Sequence, residues 1–273
     1  MDGPVPNPRK PKFAPPPGAC DTHCHVYGPG TRLVDCTAER LFALHRHLGI
    51  ERAVIVQADR TLRAATLAAM AAGGGRYRGV ALVDDNDMDK DLEALHRAGV
   101  RGVRFTFVSH LGGAPDLVMV RRTLLRIKPL GWHVTFLIDP ADMLINLGLL
   151  QAITIPCIID HMARVKADEG LNQAGFKALL DLVRRDNFWA KLSGPDRISE
   201  AGPPFHDAVP YARALIDAAP DRVIWGTDWP HPNNRFDPDD GDLVDLLPLI
   251  APDAAARRKL LVDNPARLYG FAP

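Results

Sequence analysis

Short runs rich in β-branched and aromatic residues recur along the chain, each followed by a stretch with the apolar spacing of an amphipathic helix. The runs cover 19–26, 52–57, 78–83, 102–107, 133–138, 155–161, 188–193 and 222–228, and the helical stretches include 38–48, 62–72, 89–98, 118–127, 176–184 and 211–219. Strands that alternate with helices predict parallel pairing, because each helix carries the chain back to begin the next strand. Eight such units, with no glycine-rich phosphate loop after the first strand, predict an α/β fold of the (β/α)8 (TIM) barrel type. An open doubly wound sheet of similar content is the alternative. No linker-like segment and no internal repeat interrupts the pattern, so residues 1–273 are expected to form one domain. Residues 1–17, with their many prolines, read as an extended arm packed on the barrel or on a partner subunit. The Pro- and Gly-rich loop 194–206 is expected to reach over the barrel mouth, and 264–269 to form a closing helical turn with Pro265 near its start.

Composition narrows the partners more than the fold. The chain has 273 residues, 47% hydrophobic and 24% charged, with 33 Lys plus Arg against 33 Asp plus Glu. Length and composition suit a soluble barrel of about 250 residues. Balanced charge supplies no global field to attract nucleic acid or an anionic membrane, so neither is expected as a partner. No apolar run approaches the roughly 20 residues that span a bilayer, and the first 18 residues lack a signal-peptide core, which makes the cytoplasm the expected location. Cys20, Cys24, Cys36 and Cys157 show no CxxC pair and read as reduced thiols. Nothing in the sequence separates a monomer from a homodimer.

In a barrel of this kind reactive groups sit at the C-terminal ends of the strands. The first strand ends in Asp21-Thr22-His23-Cys24-His25, and residues two apart share a face. His23 and His25 therefore point together into the mouth, where a lone histidine would more often be structural, and Cys24 points into packing. The sixth run ends in Asp160-His161. Strict alternation directs His161 inward and Asp160 the other way, to a loop or helix hydrogen bond. The eighth ends in Thr227-Asp228-Trp229-Pro230-His231, and a carboxylate emerging from an apolar strand needs a partner. Arg104, Arg164 and Arg197 lie near strand ends. Each alone could be a structural ion pair, but three at one rim suit an anionic substrate.

The segments DTHCH, IIDHMAR and WGTDWPHP resemble the metal-dependent hydrolase (amidohydrolase) superfamily, and more narrowly its branch of 2-pyrone-4,6-dicarboxylate lactonases and related sugar lactonases. The likeness runs nearly end to end, through APPPGACDTHCHVYGP, VIVQA, GVRGVRF, GWHV, GPDRIS and DNPARLYGF. It implies a catalytic set of His23, His25, His161 and Asp228, with Asp228 handling the proton of the attacking water. It also implies substrate-carboxylate contacts from Arg104, Arg164 and Arg197, with His110 and His231 in the substrate pocket. Three departures stand out. Metal-using members carry a histidine at the end of strand five, where this chain has Leu137; His133 is at the opposite end of that strand. The lactonases have a tyrosine at the Leu137 position and an arginine at the His110 position. The loop after VIVQA is shortened to Asp59-Arg60-Thr61.

The expected activity is hydrolysis of a small carboxylated lactone (a 2-pyrone-4,6-dicarboxylate-like, muconolactone or sugar-acid lactone). Asp228 would activate water while His23, His25 and His161 polarise the carbonyl. No cofactor is expected. A single zinc or manganese ion would have only His23, His25 and Asp228 to hold it, fewer ligands than a tight site takes. Two other readings are a metal-dependent non-oxidative decarboxylase of an aromatic or conjugated acid, and a barrel that only binds a small acid.

Overall fold

The computed structural model describes residues 3–28, 31, 33 and 35–272. Eight strands, β1 (Cys20–Cys24), β2 (Arg52–Val56), β3 (Tyr77–Ala81), β4 (Val100–Thr106), β5 (His133–Leu137), β6 (Cys157–Ile159), β7 (Phe188–Leu192) and β8 (Val223–Trp225), pair in parallel in sequence order. Beyond the last residues of β8 the chain returns to β1. The Asp228 amide donates to the His23 carbonyl at 2.7 Å, and the His25 amide to the Trp229 carbonyl at 2.8 Å. These bonds complete the eight-stranded barrel and rule out the open sheet.

Closure requires an unusually close backbone approach. A Cβ on Gly226 would lie 2.6 Å from the His23 nitrogen, so only glycine lets the eighth strand lean onto the first. Asp21 fastens the same seam from outside the barrel. Its Oδ1 accepts from the His23 and Thr227 amides, both at 3.0 Å, and its Oδ2 from the Thr227 hydroxyl at 2.6 Å.

Helices α1 (Ala38–Leu48), α2 (Arg63–Ala72), α3 (Asp89–Arg97) and α4 (Leu117–Ile127) follow the first four strands. In α1 the residues Leu41, Leu44, His45 and Leu48 are buried, a spacing of three and four that faces one side to the strands. Gly49 then stops the helix in the left-handed conformation. Two short helices, α5 (Pro140–Ile145) and α6 (Leu147–Gln151), fill the β5–β6 connection, followed by α7 (Ala174–Val183), α8 (Pro195–Ile198) and α9 (Val209–Ala218). After β8 come α10 (Asp240–Asp245), α11 (Leu247–Ile250), α12 (Ala254–Arg258) and, beyond a π-helical turn, α13 (Asn264–Tyr269) with Pro265 in its first turn.

Inside the barrel Cys20, Val54, Val56, Val80, Ile158, Trp189 and Ile224 form a floor, which Tyr269 and Phe271 plug from below. Above that floor the inward positions are mostly polar and, with Leu137, form the site. The arm packs on the barrel: Arg9 pairs with Asp242 and Asp245, and the Lys12 and Phe13 amides donate to Asp245 at 2.8 Å. Met1 and Asp2 lie outside the described residues. Among the described residues no helix is long and apolar enough to cross a membrane.

Candidate active site at the barrel mouth

The strand ends deliver four side chains to one point. β1 loses its register between Asp21 and Cys24, so its inward face shifts from Cys20 to His23 and His25. β6 stops at Ile159, and His161, Met162, Ala163 and Arg164 all adopt left-handed backbone angles, φ 50 to 56°. Asp228 (φ 68°), His231 (φ 60°) and Asn233 (φ 60°) do the same after β8. Non-glycine residues in this region typically cost about 1–3 kcal/mol each and persist where the surroundings over-determine them, commonly at functional sites. The outcome is that Oδ1 of Asp228 lies 3.5, 3.3 and 3.9 Å from the Nε2 atoms of His23, His25 and His161. All four side chains are buried.

The break at His161 also corrects the reading of Asp160. Alternation counted from an inward His161 sent its carboxylate outward, but Ile158 points into the floor, so Asp160 two residues on points inward, and the left-handed backbone at His161 brings that ring to the same side. Asp160 is fully buried, 2.8 Å from the Lys191 Nζ and 3.5 Å from both His23 Nδ1 and Arg104 Nε.

Each imidazole is fixed from behind by a different partner. His25 Nδ1 is 2.6 Å from the Val56 carbonyl, which can only accept, so that nitrogen carries a proton. The neutral His25 ring therefore presents a lone pair to the mouth, and it donates from Nε2 only when protonated. This changes the expectation that all three histidines donate to a carbonyl. His23 is the reverse. Lys191 Nζ sits 3.1 Å from its Nδ1, and an ammonium can only donate, so the neutral ring carries its proton on Nε2. His161 Nδ1 lies 2.8 Å from the Ser193 hydroxyl, which serves either tautomer.

The charges follow the same geometry. Burial foremost, and the Lys191 ammonium next, push His23 down to about 4. Burial likewise holds His161 well below its ordinary range. Burial works to raise Asp228, yet the Arg197 guanidinium and the surrounding histidines together outweigh it and hold the carboxyl well below the usual range. Arg197 Nε donates to Asp228 Oδ2 at 2.7 Å, and its Nη2 to the same oxygen and to the Pro232 carbonyl. At neutral pH the centre thus holds one carboxylate and neutral His23 and His161 rings.

Above this centre opens a cleft lined by Tyr27, Ala58, Arg104, His110, Leu111, Leu137, Arg164, Arg197, Pro232 and Asn233. Larger hollows occur elsewhere on the surface, but none of their linings includes the four central side chains. Arg104 and Arg164 are tied through Nε, to Asp160 at 3.5 Å and to Asp139 at 2.7 Å. His110 is exposed at the rim. His231 departs from expectation: its ring is buried, with Nε2 3.0 Å from Asp240 Oδ1, and it lines none of the cleft. The turn at Asp228 and His231 points it behind the wall. Burial lowers the His231 pKa, but Asp240, with the charges of Asp196 and Asp228 behind it, more than compensates and raises it above its ordinary value.

His23, His25 and Asp228 bring three possible ligand atoms within 4.8 Å of one another, and His23, Asp160 and His161 form a second such group. Leu137 occupies the end of β5 and His133 lies at its other end, under the floor against Tyr269. The His25–Val56 bond is the arrangement a metal-ligating histidine uses. His23 is not so arranged, since its proton is on the nitrogen that would face the ion and a fixed ammonium sits at its other nitrogen. The donor set therefore does not fit a tightly held metal, and no step below runs through one.

Residues 20–271 match the amidohydrolase family profile. The chain belongs to the amidohydrolase family. It is 42% identical to the 2-pyrone-4,6-dicarboxylate hydrolase of Comamonas testosteroni, over 96% of this chain and 93% of that protein. Identity to the 4-sulfomuconolactone hydrolase of Rhizobium radiobacter is 41%, covering 94% and 92%. A ligand-free crystal structure of an Agrobacterium tumefaciens protein superposes with a TM-score of 0.83 at 32% identity, covering 96% of this chain and 99% of that one. These relatives place the chain in the pyrone-dicarboxylate lactonase-like branch.

Lys191, Ser193 and Asp160, which set the histidines, are the residues that sequence reasoning passed over or misplaced. The signal for Lys191 was available, as a single charge in the otherwise apolar strand Phe188–Leu192.

Proposed function

We propose that this protein is a hydrolase that opens a small, negatively charged lactone. The observation that carries the reading is the convergence of three imidazole Nε2 atoms on Oδ1 of Asp228 within 3.9 Å, directly beneath a cleft walled by Arg104, Arg164 and Arg197. The hydrolase names of the relatives from Comamonas testosteroni and Rhizobium radiobacter support the reaction class.

The guanidinium groups of Arg104 and Arg164 hold the substrate anion. His23 and His161 direct Nε2–H groups at the lactone carbonyl, supplying the oxyanion stabilisation. Water between the carbonyl and Asp228 loses its proton to Oδ1, its oxygen bonds to the carbonyl carbon, and the ring C–O bond breaks. The proton then passes from Asp228 to the leaving oxygen, giving the open hydroxy acid. An aspartate paired with Arg197 is a weak base. A substrate carboxylate that draws Arg197 away would restore its basicity at the moment water is in place. His25, whose Nε2 lone pair faces Oδ1, can share the same proton.

A panel of carboxylated pyrones, muconolactones, sulfonated lactones and aldonolactones, run with and without chelator, tests the proposal. Chelator-insensitive ring opening of one or more anionic members supports it. Absence of ring opening throughout the panel, at enzyme concentrations that would detect turnover of about 1 per minute, refutes it.

A further inference from the structure

Lys191 lies in the middle of β7, wholly buried, with its ammonium 2.8 Å from Asp160 Oδ1 and 3.1 Å from His23 Nδ1. Burying a lysine is unfavourable unless it is paired, and here the pair sits immediately behind the reaction centre. Lys191 forms an ion pair with Asp160, and an ammonium has only protons to offer His23. We infer that Lys191 is a positioning residue that locks His23 in the tautomer protonated on Nε2, making the ring a hydrogen-bond donor to substrate and denying that nitrogen to a metal. Asp160 extends the arrangement outward, since its other oxygen lies 3.5 Å from Arg104 Nε. Buried charge thereby runs from the anion-holding wall of the cleft to the donor at its base. In a histidine that ligates a metal the second nitrogen donates to a carboxylate or carbonyl. Here the Lys191 ammonium at 3.1 Å, rather than the Asp160 carboxylate at 3.5 Å, makes the hydrogen bond to that nitrogen and reverses the polarity.

The kinetic consequence rests on the lactone-hydrolase reading; the tautomer itself does not. The test uses the full chain labelled with 15N-histidine, as wild type, Lys191→Met, and the charge-neutral double variant Lys191→Met/Asp160→Asn in case the single change does not fold. Long-range 1H–15N spectra at pH 7, with the His23 signals assigned by their loss in His23→Gln, report which nitrogen is protonated. Wild type should show a bare Nδ1 and protonated Nε2. Whichever variant folds should show His23 protonated on Nδ1 in a substantial share of molecules. On a lactone that wild type opens, that variant should lose about 100-fold or more in kcat, with KM changed by less than about threefold in the single variant, which leaves the Asp160–Arg104 contact in place. A wild-type His23 pattern in the folded variant overturns the inference, as does a moved proton with unchanged kcat. If wild type opens no lactone, the functional reading fails while the spectra still decide the wiring.

Discussion

His133 occupies the N-terminal end of β5, buried beneath the barrel floor with its ring edge-on to Tyr269 at 5.1 Å. A Cβ on Gly102 would meet that ring at 2.3 Å, which shows how closely the floor is filled around it. Burial first, and the Lys191 charge second, push its pKa down to about 3. In the unfolded chain a histidine titrates near 6.5. Between those values the unfolded state binds a proton that the folded state refuses, so stability is full above about 6.5 and falls as pH drops toward 3. At pH 4.5 the two-unit gap amounts to about 3 kcal/mol from this one ring, a large share of an ordinary folding free energy. Replacing it by phenylalanine, His133→Phe, removes the titration. Overpacking against Gly102 adds a penalty of about 1–3 kcal/mol, but that penalty is the same at every pH. The measurement is therefore the slope. Denaturant unfolding at pH 7.0, 6.0, 5.0 and 4.5 should show the variant losing about 1.4 kcal/mol less per pH unit below 6 than wild type. His23 and His161, also depressed by burial, keep part of the slope in both proteins. Parallel stability curves for the two proteins would falsify the account of a neutral histidine in the floor.

Four further outcomes follow from the mouth. Asp228→Asn preserves shape and removes the proton acceptor, so kcat should fall by roughly 10² to 10⁴ with KM nearly unchanged; near-normal turnover would assign the base elsewhere. Arg164→Met should raise KM for an anionic lactone about tenfold or more, the worth of a charge-assisted bond, while leaving a neutral lactone of the same ring size unaffected; equal effects on both would deny it a role in anion binding. Because Asp228 is the proton acceptor and its carboxyl lies well below the usual range, kcat/KM should stay level as pH falls to about 4; an activity loss with an apparent pKa in the ordinary carboxylate range or above would exclude an Arg197-held carboxylate as the base. His231→Asn leaves Asp240 buried without its partner, so it should lower stability by about 3–5 kcal/mol with little change in KM. A raised KM at unchanged melting temperature would return His231 to the cleft.

The barrel was legible because its evidence is local and repeated. Each strand announces itself by a short apolar run, and residue type at the strand end marks the mouth, which is how His23, His25, His161, Asp228 and the three arginines came to light. What a single sequence does not carry is the direction in which a chain leaves its strand. Alternation held along β7 and from Ile158 to Asp160, and failed at His161, where four successive left-handed residues turned that ring to the same side as Asp160. The same cause moved His231 out of the cleft: it is three residues from Asp228, but two positive φ angles aim its ring at Asp240. Lys191 escaped for another reason. Its role is defined by His23, 168 residues away, and by Asp160 just beyond the end of the neighbouring strand β6. A lysine in an apolar strand predicts only that some buried carboxylate must answer it. Which carboxylate, and which imidazole receives the remaining proton, depends on pairing that closure of the barrel alone creates. The residues assembled at the mouth were thus readable one by one, whereas those that orient them become visible only as neighbours.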